Sequence, residues 1–329
     1  MALPDFFVAG APKAGTTALH AALARHPALY MSAVKEPKFF LTDGPPPTQG
    51  GPGDAKTYRE HVWHQADYEA LFDPAPAGAL RGESTPFYLY SHDAQRRIKA
   101  LVPHARLIVV VRDPVERAHS NWTHLWSAGL DPIDDFVRAC AAEEQRIAAG
   151  WADFWHYKRI GLYGQQVQHL YSVFPRSQVL LFRYRDLIDD PAGTLDRICV
   201  FLGIEPGLIA DVPRENVTAH PELTRSHQNL SRVVRTCSAV TTRLPGHPGK
   251  LMIDKLERRL QHGAAPRRPL TWVERQALIL YFEDDIRLLG KLTGEDFSHW
   301  TAPRENAGGL VGARPTGQSQ ARNGRPREF

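Results

Sequence analysis

Apolar runs alternate with amphipathic segments along the chain and predict an α/β fold. The first run, DFFVAG, enters a glycine-containing loop and then a helical segment from about Thr16, where Leu19 and Leu23 fall on one face. The runs ALRGES, RLIVVVRD and QVLLFRY predict further strands, and RLIVVVRD is typical of a strand buried on both faces. DAQRRIKALVP and the segment from Tyr163 to Phe174 have helical periodicity. Strands separated by helices favour a parallel sheet.

Two later helices have recognisable ends. PAGTLDRICVFLG is typical of a helix that Gly203 closes. In TWVERQALILYFEDDIRLLGKLTG, Thr271 is a candidate N-cap and Glu274 completes a capping box. Between Val212 and Pro269 we expect only loops and short helices. The pattern predicts one three-layer domain over residues 1–301, with a central parallel β-sheet flanked by helices.

Composition places the chain among ordinary globular proteins. It has 329 residues, of which 43% are hydrophobic and 23% charged. No run approaches the ~20 apolar residues of a membrane span, and the amino terminus lacks a basic segment followed by a long apolar run, so we expect a cytoplasmic protein. Cys140, Cys199 and Cys237 lack the spacing of a disulfide framework or a zinc site.

The charge is concentrated at the end of the chain. Residues 302–329 hold five arginines against Glu305 and Glu328, a net charge of +3 out of the formal +4 for the whole chain. This stretch has almost no apolar residues and is predicted to be a disordered basic tail. The rest is nearly neutral, which disfavours a nucleic-acid partner. Residues 43–55, DGPPPTQGGPGDA, are predicted to form a mobile surface loop.

The loop FFVAGAPKAGTT has the two glycines of a Walker A phosphate loop, Gly10 and Gly15, but its lysine is displaced. Thr16 occupies the usual lysine position, and Lys13 lies inside the loop. A strand that leads through such a loop into a helix N-terminus favours anion binding, because the first N–H groups of the helix lack partners. A plain turn with a solvated lysine explains the loop alone equally well.

A second set of residues makes an anion site more convincing. Arg112 ends the buried strand RLIVVVRD, and Ser120 follows in a helix that begins near Pro114. Since the carboxyl ends of parallel strands face one crevice, Arg112 should emerge on the same edge as the loop. There it could hold a second phosphate. A surface ion pair with Asp113 or Glu116 is the alternative.

Four motifs in order resemble the sulfotransferases that use 3′-phosphoadenosine 5′-phosphosulfate, most nearly their bacterial and heparan-sulfate-type branch. The motifs are PKAGTT, KEPKFF, GESTPFYLY and RLIVVVRDPVERAHSNW, and the resemblance extends to EDDIRLLGKLTGEDFSHW. It implies a P-loop-like α/β fold and metal-free transfer of a sulfuryl group from that donor. The acceptor would be a hydroxyl, less often an amine, of a carbohydrate, glycolipid or small-molecule natural product. A homodimer is left open.

The resemblance also assigns the donor site. Arg112 and Ser120 would hold the 3′-phosphate of the donor, and Arg225 would close over the adenosine, with Arg267 and Arg268 as alternatives. Lys13 would also stabilise the leaving phosphate during transfer. The 5′-phosphosulfate would be held by Lys13, Ala14, Gly15, Thr16 and Thr17.

Two carboxylates are candidates for the general base. Glu36 in KEPKFF falls where heparan-type members place a catalytic glutamate, and a carboxylate suits proton removal from a hydroxyl. Glu83 in GESTP is the alternative, although Ser84 stands where the heparan-type pattern has a lysine. Lys38 could supply that charge. The histidines at positions 61, 64 and 119 are weaker candidates for the base.

Two other functions compete with sulfuryl transfer. An ATP-dependent small-molecule kinase would need a lysine at position 16 and a metal-holding aspartate at a strand end, where Thr16 and Arg112 stand. A noncatalytic nucleotide-binding or nucleic-acid-binding protein is disfavoured by the lack of interleaved basic and aromatic residues. Aromatic residues could form either an acceptor pocket or core: Trp63, Tyr68, Phe72, Trp122, Trp126, Trp151 and Trp155.

Overall fold

A five-stranded parallel sheet forms the centre of the molecule. The computed structural model describes residues 2–213 and 268–302. The strands lie in the order β2-β3-β1-β4-β5, and each neighbouring pair is parallel. Their bounds are Phe6–Gly10 (β1), Leu29–Met31 (β2), Leu80–Ser84 (β3), Arg106–Val111 (β4) and Val179–Arg183 (β5). The predicted central parallel sheet is confirmed.

Helices connect the strands and cover both faces of the sheet. In a right-handed crossover, the face of the sheet that the helix covers depends on the direction in which the chain moves along the strand order. The connection from β1 to β2 runs towards one edge of the sheet, whereas the connections that lead to β4 and β5 run towards the other edge, so their helices lie on opposite faces. In chain order the helices are α1 (Thr16–Leu23), α2 (Asp54–Arg59), α3 (Gln65–Ala70), α4 (His92–Leu101), α5 (Pro114–Ser127), α6 (Phe136–Ala141), α7 (Glu143–Ala148), α8 (Tyr163–Val173), α9 (Tyr184–Asp189), α10 (Pro191–Leu202) and α11 (Trp272–Thr293). The outer helix α11 packs against α8 and α5, and α8 packs against α4.

The two middle strands form the core of the fold. All of β1 is buried, as is β4 after its first residue. Each fully buried Val, Leu, Ile or Phe side chain contributes roughly 1.5–3 kcal/mol relative to exposure. This burial explains why the continuous run RLIVVV predicts a central strand correctly.

The predicted helix ends are also present. Thr271 Oγ1 accepts from the Glu274 amide at 3.2 Å, and Glu274 Oε2 accepts from the Thr271 amide at 2.9 Å. Gly203 follows α10 with φ +72°, a left-handed conformation that glycine adopts without steric cost. Both helix boundaries are therefore confirmed.

The proline- and glycine-rich segment 43–55 is less uniform than predicted, because its last two residues, Asp54 and Ala55, begin α2. The buried carboxylate of Asp54 accepts from the Ala152 amide at 2.8 Å and from Trp155 Nε1 at 2.9 Å. The Ala152 and Trp155 N–H groups would otherwise be buried without partners, so their hydrogen bonds to Asp54 fix the carboxyl end of the segment to the body.

Several predictions fall outside the described residues. These are Arg225, Arg267, Cys237 and the tail beyond Ala302. The two cysteines that the structure describes, Cys140 and Cys199, are buried and free. Among residues 2–213 and 268–302, no helix combines the length and apolar character needed to cross a membrane.

The strand order opens a crevice at one edge of the sheet. From β1 the chain crosses to β2 on one side, whereas from β4 it crosses to β5 on the other side. A crevice therefore forms outside the carboxyl ends of β1 and β4, the place where open α/β sheets bind ligands. The glycine loop and Arg112 follow these two strands directly.

Candidate active site

The loop between β1 and α1 is held against β4. The Ala11 amide donates to the Val110 carbonyl at 2.7 Å, and Arg112 Nη1 donates to the Lys13 carbonyl at 3.4 Å. Lys13 has a left-handed backbone, with φ +67°. For a residue other than glycine this conformation is uncommon, and it persists only where the surroundings enforce it. The predicted loop and the predicted Arg112 therefore meet in the structure.

The amino end of α1 has no side-chain cap, because its N-cap is Gly15. The same holds for the N-cap residues of α2, α3, α7 and α8, whereas α4, α5, α6, α10 and α11 are each capped by a side chain. Thr16 is buried at this end, while Thr17 and Lys13 are partly exposed. The amides of a helix N-terminus, two hydroxyls and an ammonium group suit a phosphate or a sulfate.

Tyr184 contacts both the loop and Arg112, a role that no sequence motif predicted. Its ring lies 5.0 Å from the Arg112 guanidinium. The same ring occupies the space beside Gly15, where an added Cβ would lie 2.7 Å from a ring carbon. Gly15 also has φ +86°, so the position requires glycine for two independent reasons. The first residue of α9 thus places one aromatic ring against both Gly15 and Arg112.

Arg112 is partly buried and remains accessible. Its side chain is 18% exposed and pairs with Glu116 at 3.2 Å, as the ion-pair alternative anticipated. Ser120 lies two turns further along α5 and is partly exposed. The ion pair and a ligand-binding role are compatible, because a guanidinium group has five N–H donors.

A buried ion pair lies directly behind Arg112. Asp113 accepts from the Val115 and Glu116 amides and so caps α5. Its other oxygen accepts from Arg275 Nη2 at 2.7 Å, and both side chains are only 5% exposed. The helix α11 thereby holds the turn that carries Arg112.

Glu36 lies on a strained segment beside β3. Its amide donates to the Ser84 carbonyl at 3.0 Å, and its carboxylate pairs with Lys35 at 2.5 Å. Both Glu36 and Lys38 have left-handed backbones, with φ +60° and +59°. Backbone strain of this kind clusters at functional sites. The side chain of Glu36 is 27% exposed, so a ligand can reach it.

His20 joins this group and is absent from the predicted site. It lies one turn after Thr16 on α1, and its Nδ1 shares a 2.9 Å hydrogen bond with Ser84 Oγ. Burial, and to a smaller extent nearby Lys35, lowers the pKa of His20 to about 4 against the opposing effect of Glu36. His20 is therefore neutral near pH 7. It connects α1 to Ser84 at the end of β3, whose carbonyl accepts from the Glu36 amide.

Glu83 is in the interior of the molecule. Its side chain is fully buried and accepts hydrogen bonds from three hydroxyls, those of Tyr68, Tyr88 and Thr85. Burial raises the pKa of Glu83 to about 7, the three hydrogen bonds oppose this rise, and Glu36 adds to it. The two candidate bases thus differ in environment, since only Glu36 reaches the surface.

The remaining candidates have mostly structural surroundings. His119 is buried, with its ring edge-on to Phe136, and His64 is exposed on the surface. Arg268 pairs with Glu274 at the start of α11. Among the seven aromatic candidates, five are buried in the core: Tyr68, Phe72, Trp122, Trp126 and Trp155.

Trp63 and Trp151 are only partly buried. Trp63 stacks on His61, whose pKa burial lowers to about 4, with a further contribution from Lys38. The Val62 amide, between His61 and Trp63, donates to the Pro37 carbonyl at 2.8 Å, so this aromatic pair lies beside the segment that carries Glu36. A partly exposed aromatic surface thus lies near this candidate base.

Comparisons with known proteins identify relatives of this chain. Residues 4–207 match the model of the sulfotransferase family. Human heparan sulfate glucosamine 3-O-sulfotransferase 6 is 34% identical over 203 residues, which cover 61% of this chain and 53% of that protein. Human bifunctional heparan sulfate N-deacetylase/N-sulfotransferase 2 is 29% identical over 213 residues, 63% of this chain and 22% of that protein.

The chain spans about half the length, 53%, of the first of these relatives. Among solved structures, the sulfotransferase from Alicyclobacillus acidocaldarius is similar with a TM-score of 0.71 and 26% sequence identity. That match covers 92% of this chain and all of the other. Because the family match extends over more than half of the 329 residues and the fold agrees, this chain belongs to the sulfotransferase family.

Proposed function

We propose that the chain transfers a sulfuryl group from 3′-phosphoadenosine 5′-phosphosulfate to an acceptor hydroxyl. The observation that carries the proposal is the pair of anion-binding groups on either side of one crevice. The amino end of α1 with Lys13 suits the 5′-phosphosulfate, and Arg112 with Ser120 suits the 3′-phosphate. Membership of the sulfotransferase family supports this choice over an ATP-dependent kinase.

Each group has a defined part in the proposed transfer. The acceptor oxygen forms a bond to sulfur while the bond from sulfur to the 5′-phosphate oxygen breaks, which releases 3′-phosphoadenosine 5′-phosphate. Lys13 and the first amides of α1 stabilise the negative charge that develops on the leaving phosphate. Gly15, Thr16 and Thr17 fix its orientation, and Ala14 is buried beneath them.

Glu36 is the proposed general base. It takes the acceptor proton as the oxygen attacks, a contribution typically worth ~10²–10⁴ in rate. Its exposure and its strained backbone favour this role over Glu83, which is buried. His20 is next to it through Ser84 and, as a neutral imidazole, adds no competing charge.

The acceptor is proposed at the level of its chemical class. Two relatives are named for action on heparan sulfate, one of them on its glucosamine. We propose a hydroxyl of a carbohydrate, a glycolipid or a small natural product for this chain. The partly exposed Trp63, stacked on His61, suits a sugar or another flat ring. A cytoplasmic location, a metal-free reaction and a homodimer stay predictions.

Calorimetric titration tests the donor assignment. The wild-type protein should bind 3′-phosphoadenosine 5′-phosphate more tightly than adenosine 5′-phosphate, because only the former has the 3′-phosphate. Arg112→Ala should lose about 10- to 100-fold in affinity for the former alone, as expected for charged hydrogen bonds of ~1.5–3 kcal/mol. Arg106→Ala is the matched control, since Arg106 lies at the opposite end of β4. Preference for ATP with magnesium would reject the proposal.

Turnover tests the base. Glu36→Gln should bind 3′-phosphoadenosine 5′-phosphate like the wild type and transfer sulfate at least ~10²-fold more slowly. The acceptors to screen are heparan oligosaccharides, glycolipids and phenols, each with the sulfate donor. Wild-type turnover by Glu36→Gln would remove Glu36 from the mechanism and return attention to Glu83.

A further inference from the structure

Three hydroxyls surround the buried carboxylate of Glu83. Tyr68 and Tyr88 donate to Oε1 at 2.7 and 2.9 Å, and Thr85 donates to Oε2 at 2.9 Å. Glu83 is 0% exposed, as is each of the three side chains that donate to it. Such a cluster is costly to assemble, because burial of a carboxylate opposes its ionisation. Its hydrogen bonds offset part of that cost.

The carboxylate sets the direction of these hydroxyls. Tyr68, Tyr88 and Thr85 each point their hydroxyl hydrogen at a Glu83 oxygen, which leaves the lone pairs of these hydroxyls for other donors. Two of them accept from backbone amides. The Lys38 amide donates to Thr85 Oγ1 at 3.3 Å, and the Phe40 amide donates to Tyr88 Oη at 3.5 Å.

Both amides belong to the segment that carries Glu36. Glu36 and Lys38 each have a left-handed backbone, which costs roughly 1–2 kcal/mol for a residue other than glycine. The segment also stacks Phe39 on the Tyr68 ring, with 4.4 Å between centroids. Strained residues persist only where several contacts hold them. Here two of those contacts, from the Lys38 and Phe40 amides, end on hydroxyls that donate to Glu83, while the Glu36 amide is held by the Ser84 carbonyl.

We propose that Glu83 is a positioning residue, which orients the Thr85 and Tyr88 hydroxyls so that they hold Glu36–Phe40 in its strained conformation. The role differs from that of the general base, because no acceptor hydroxyl reaches a fully buried carboxylate. The positioning role of Glu83 rests on the proposed function only in so far as Glu36 acts on the acceptor. The conformation of the segment itself is measurable without any turnover.

Four variants separate the possible roles of Glu83. Thr85→Val removes one hydroxyl at nearly constant shape and leaves both carboxylates in place. Thr85→Ser restores the hydroxyl, and Glu83→Gln removes the charge. Tyr30→Phe is the control, because it also removes one tyrosine hydroxyl, which donates to the Leu71 carbonyl at 3.0 Å and not to Glu83.

Hydrogen–deuterium exchange of a peptide that spans residues 36–40 is the first measurement. Thr85→Val and Glu83→Gln should speed its exchange at least tenfold, while Thr85→Ser and Tyr30→Phe match the wild type. Affinity for 3′-phosphoadenosine 5′-phosphate should stay unchanged in all four variants, which also shows that each variant is folded. Unchanged exchange in Thr85→Val and Glu83→Gln overturns the proposal, whether or not the protein transfers sulfate.

Sulfate transfer from the donor to a phenol or a heparan oligosaccharide is the second measurement. Thr85→Val should lower kcat at least tenfold with little change in the KM of the donor, and Thr85→Ser should restore it. An inactive Glu83→Gln beside a fully active Thr85→Val would instead identify Glu83 as the base and overturn the proposal. If no variant and not even the wild type transfers sulfate, the proposed function fails, while the exchange result still decides the role of Glu83.

Discussion

Replacement of Gly15 by alanine tests how the phosphate loop is built. Two separate costs arise at this position. The backbone has φ +86°, which costs an alanine roughly 1–2 kcal/mol. The new Cβ would also lie 2.7 and 2.9 Å from two ring carbons of Tyr184, closer than real Cβ contacts. Overpacking of this kind costs roughly 1–3 kcal/mol, so the total for Gly15→Ala is about 2–5 kcal/mol.

Gly78 provides the matched control. It has nearly the same backbone angle, φ +84°, but an added Cβ there meets nothing within 4 Å. Gly78→Ala should therefore show the backbone cost alone, about 1–2 kcal/mol. Urea unfolding of both variants measures the difference, and the double variant Gly15→Ala/Tyr184→Leu should recover the part due to overlap. Equal losses for the two alanine variants would refute the reasoning.

The same substitution should affect donor binding. If the new methyl group displaces the Tyr184 ring, the Arg112 guanidinium 5.0 Å from that ring loses its support. Affinity for 3′-phosphoadenosine 5′-phosphate should then fall in Gly15→Ala and not in Gly78→Ala. Calorimetric titration of the two proteins measures this directly. An unchanged affinity in Gly15→Ala would show that Tyr184 does not support Arg112.

Three further changes have predictable effects on the free energy of unfolding. Burial raises the pKa of Glu83 from 4.5 to about 7, so the folded protein keeps a proton that the unfolded chain releases in this range. The free energy of unfolding of the wild type should therefore fall by about 3 kcal/mol as pH rises through this range, whereas that of Glu83→Gln should not. His20 has its pKa lowered to about 4 by burial, so the wild type should lose stability as pH falls from 6.5 towards 4, and His20→Gln should lose less. Arg275→Met removes the buried ion pair between Arg275 and Asp113 and should cost about 3–5 kcal/mol of the free energy of unfolding, whereas Arg287→Met, at an exposed pair, should cost under ~1 kcal/mol.

Urea titrations at several pH values check the first two changes, and titrations at neutral pH check the third. If the free energies of unfolding of Glu83→Gln and wild type change in parallel from about pH 5 to about pH 8, the raised pKa of Glu83 is contradicted. If the free energies of unfolding of His20→Gln and wild type change in parallel in the acid range, the lowered pKa of His20 is contradicted. Equal losses for Arg275→Met and Arg287→Met would mean that burial does not strengthen the ion pair.

The strands and long helices follow from the sequence because burial leaves a clear pattern in them. The central strand β4 is buried after its first residue and reads as a continuous apolar run. In α11 the capping box of Thr271 and Glu274 marks the first turn. Helices α6, α7 and α9 have only six residues each, too few to establish a helical period, and the sequence did not predict them.

The residues of the candidate site also fall into two groups, those that the sequence predicted and those that it did not. Lys13 and Arg112 were predictable because each follows a strand directly, and the carboxyl ends of parallel strands meet. His20 and Tyr184 were missed because their contacts join distant parts of the chain, such as the bond between His20 and Ser84. The left-handed backbone of Glu36 was equally hidden, since few residues other than glycine adopt it and no local pattern marks it.

The buried pair of Asp113 and Arg275 changes where this domain should be considered to end. The family match stops at residue 207, yet a residue beyond that limit neutralises the acid next to Arg112. A protein shortened to the matched region would lose the buried ion pair of Asp113 and Arg275, and α5 and α8 would lose the cover of α11. A fragment chosen by sequence similarity alone should therefore express poorly or bind the donor weakly, and the smallest useful piece must include α11.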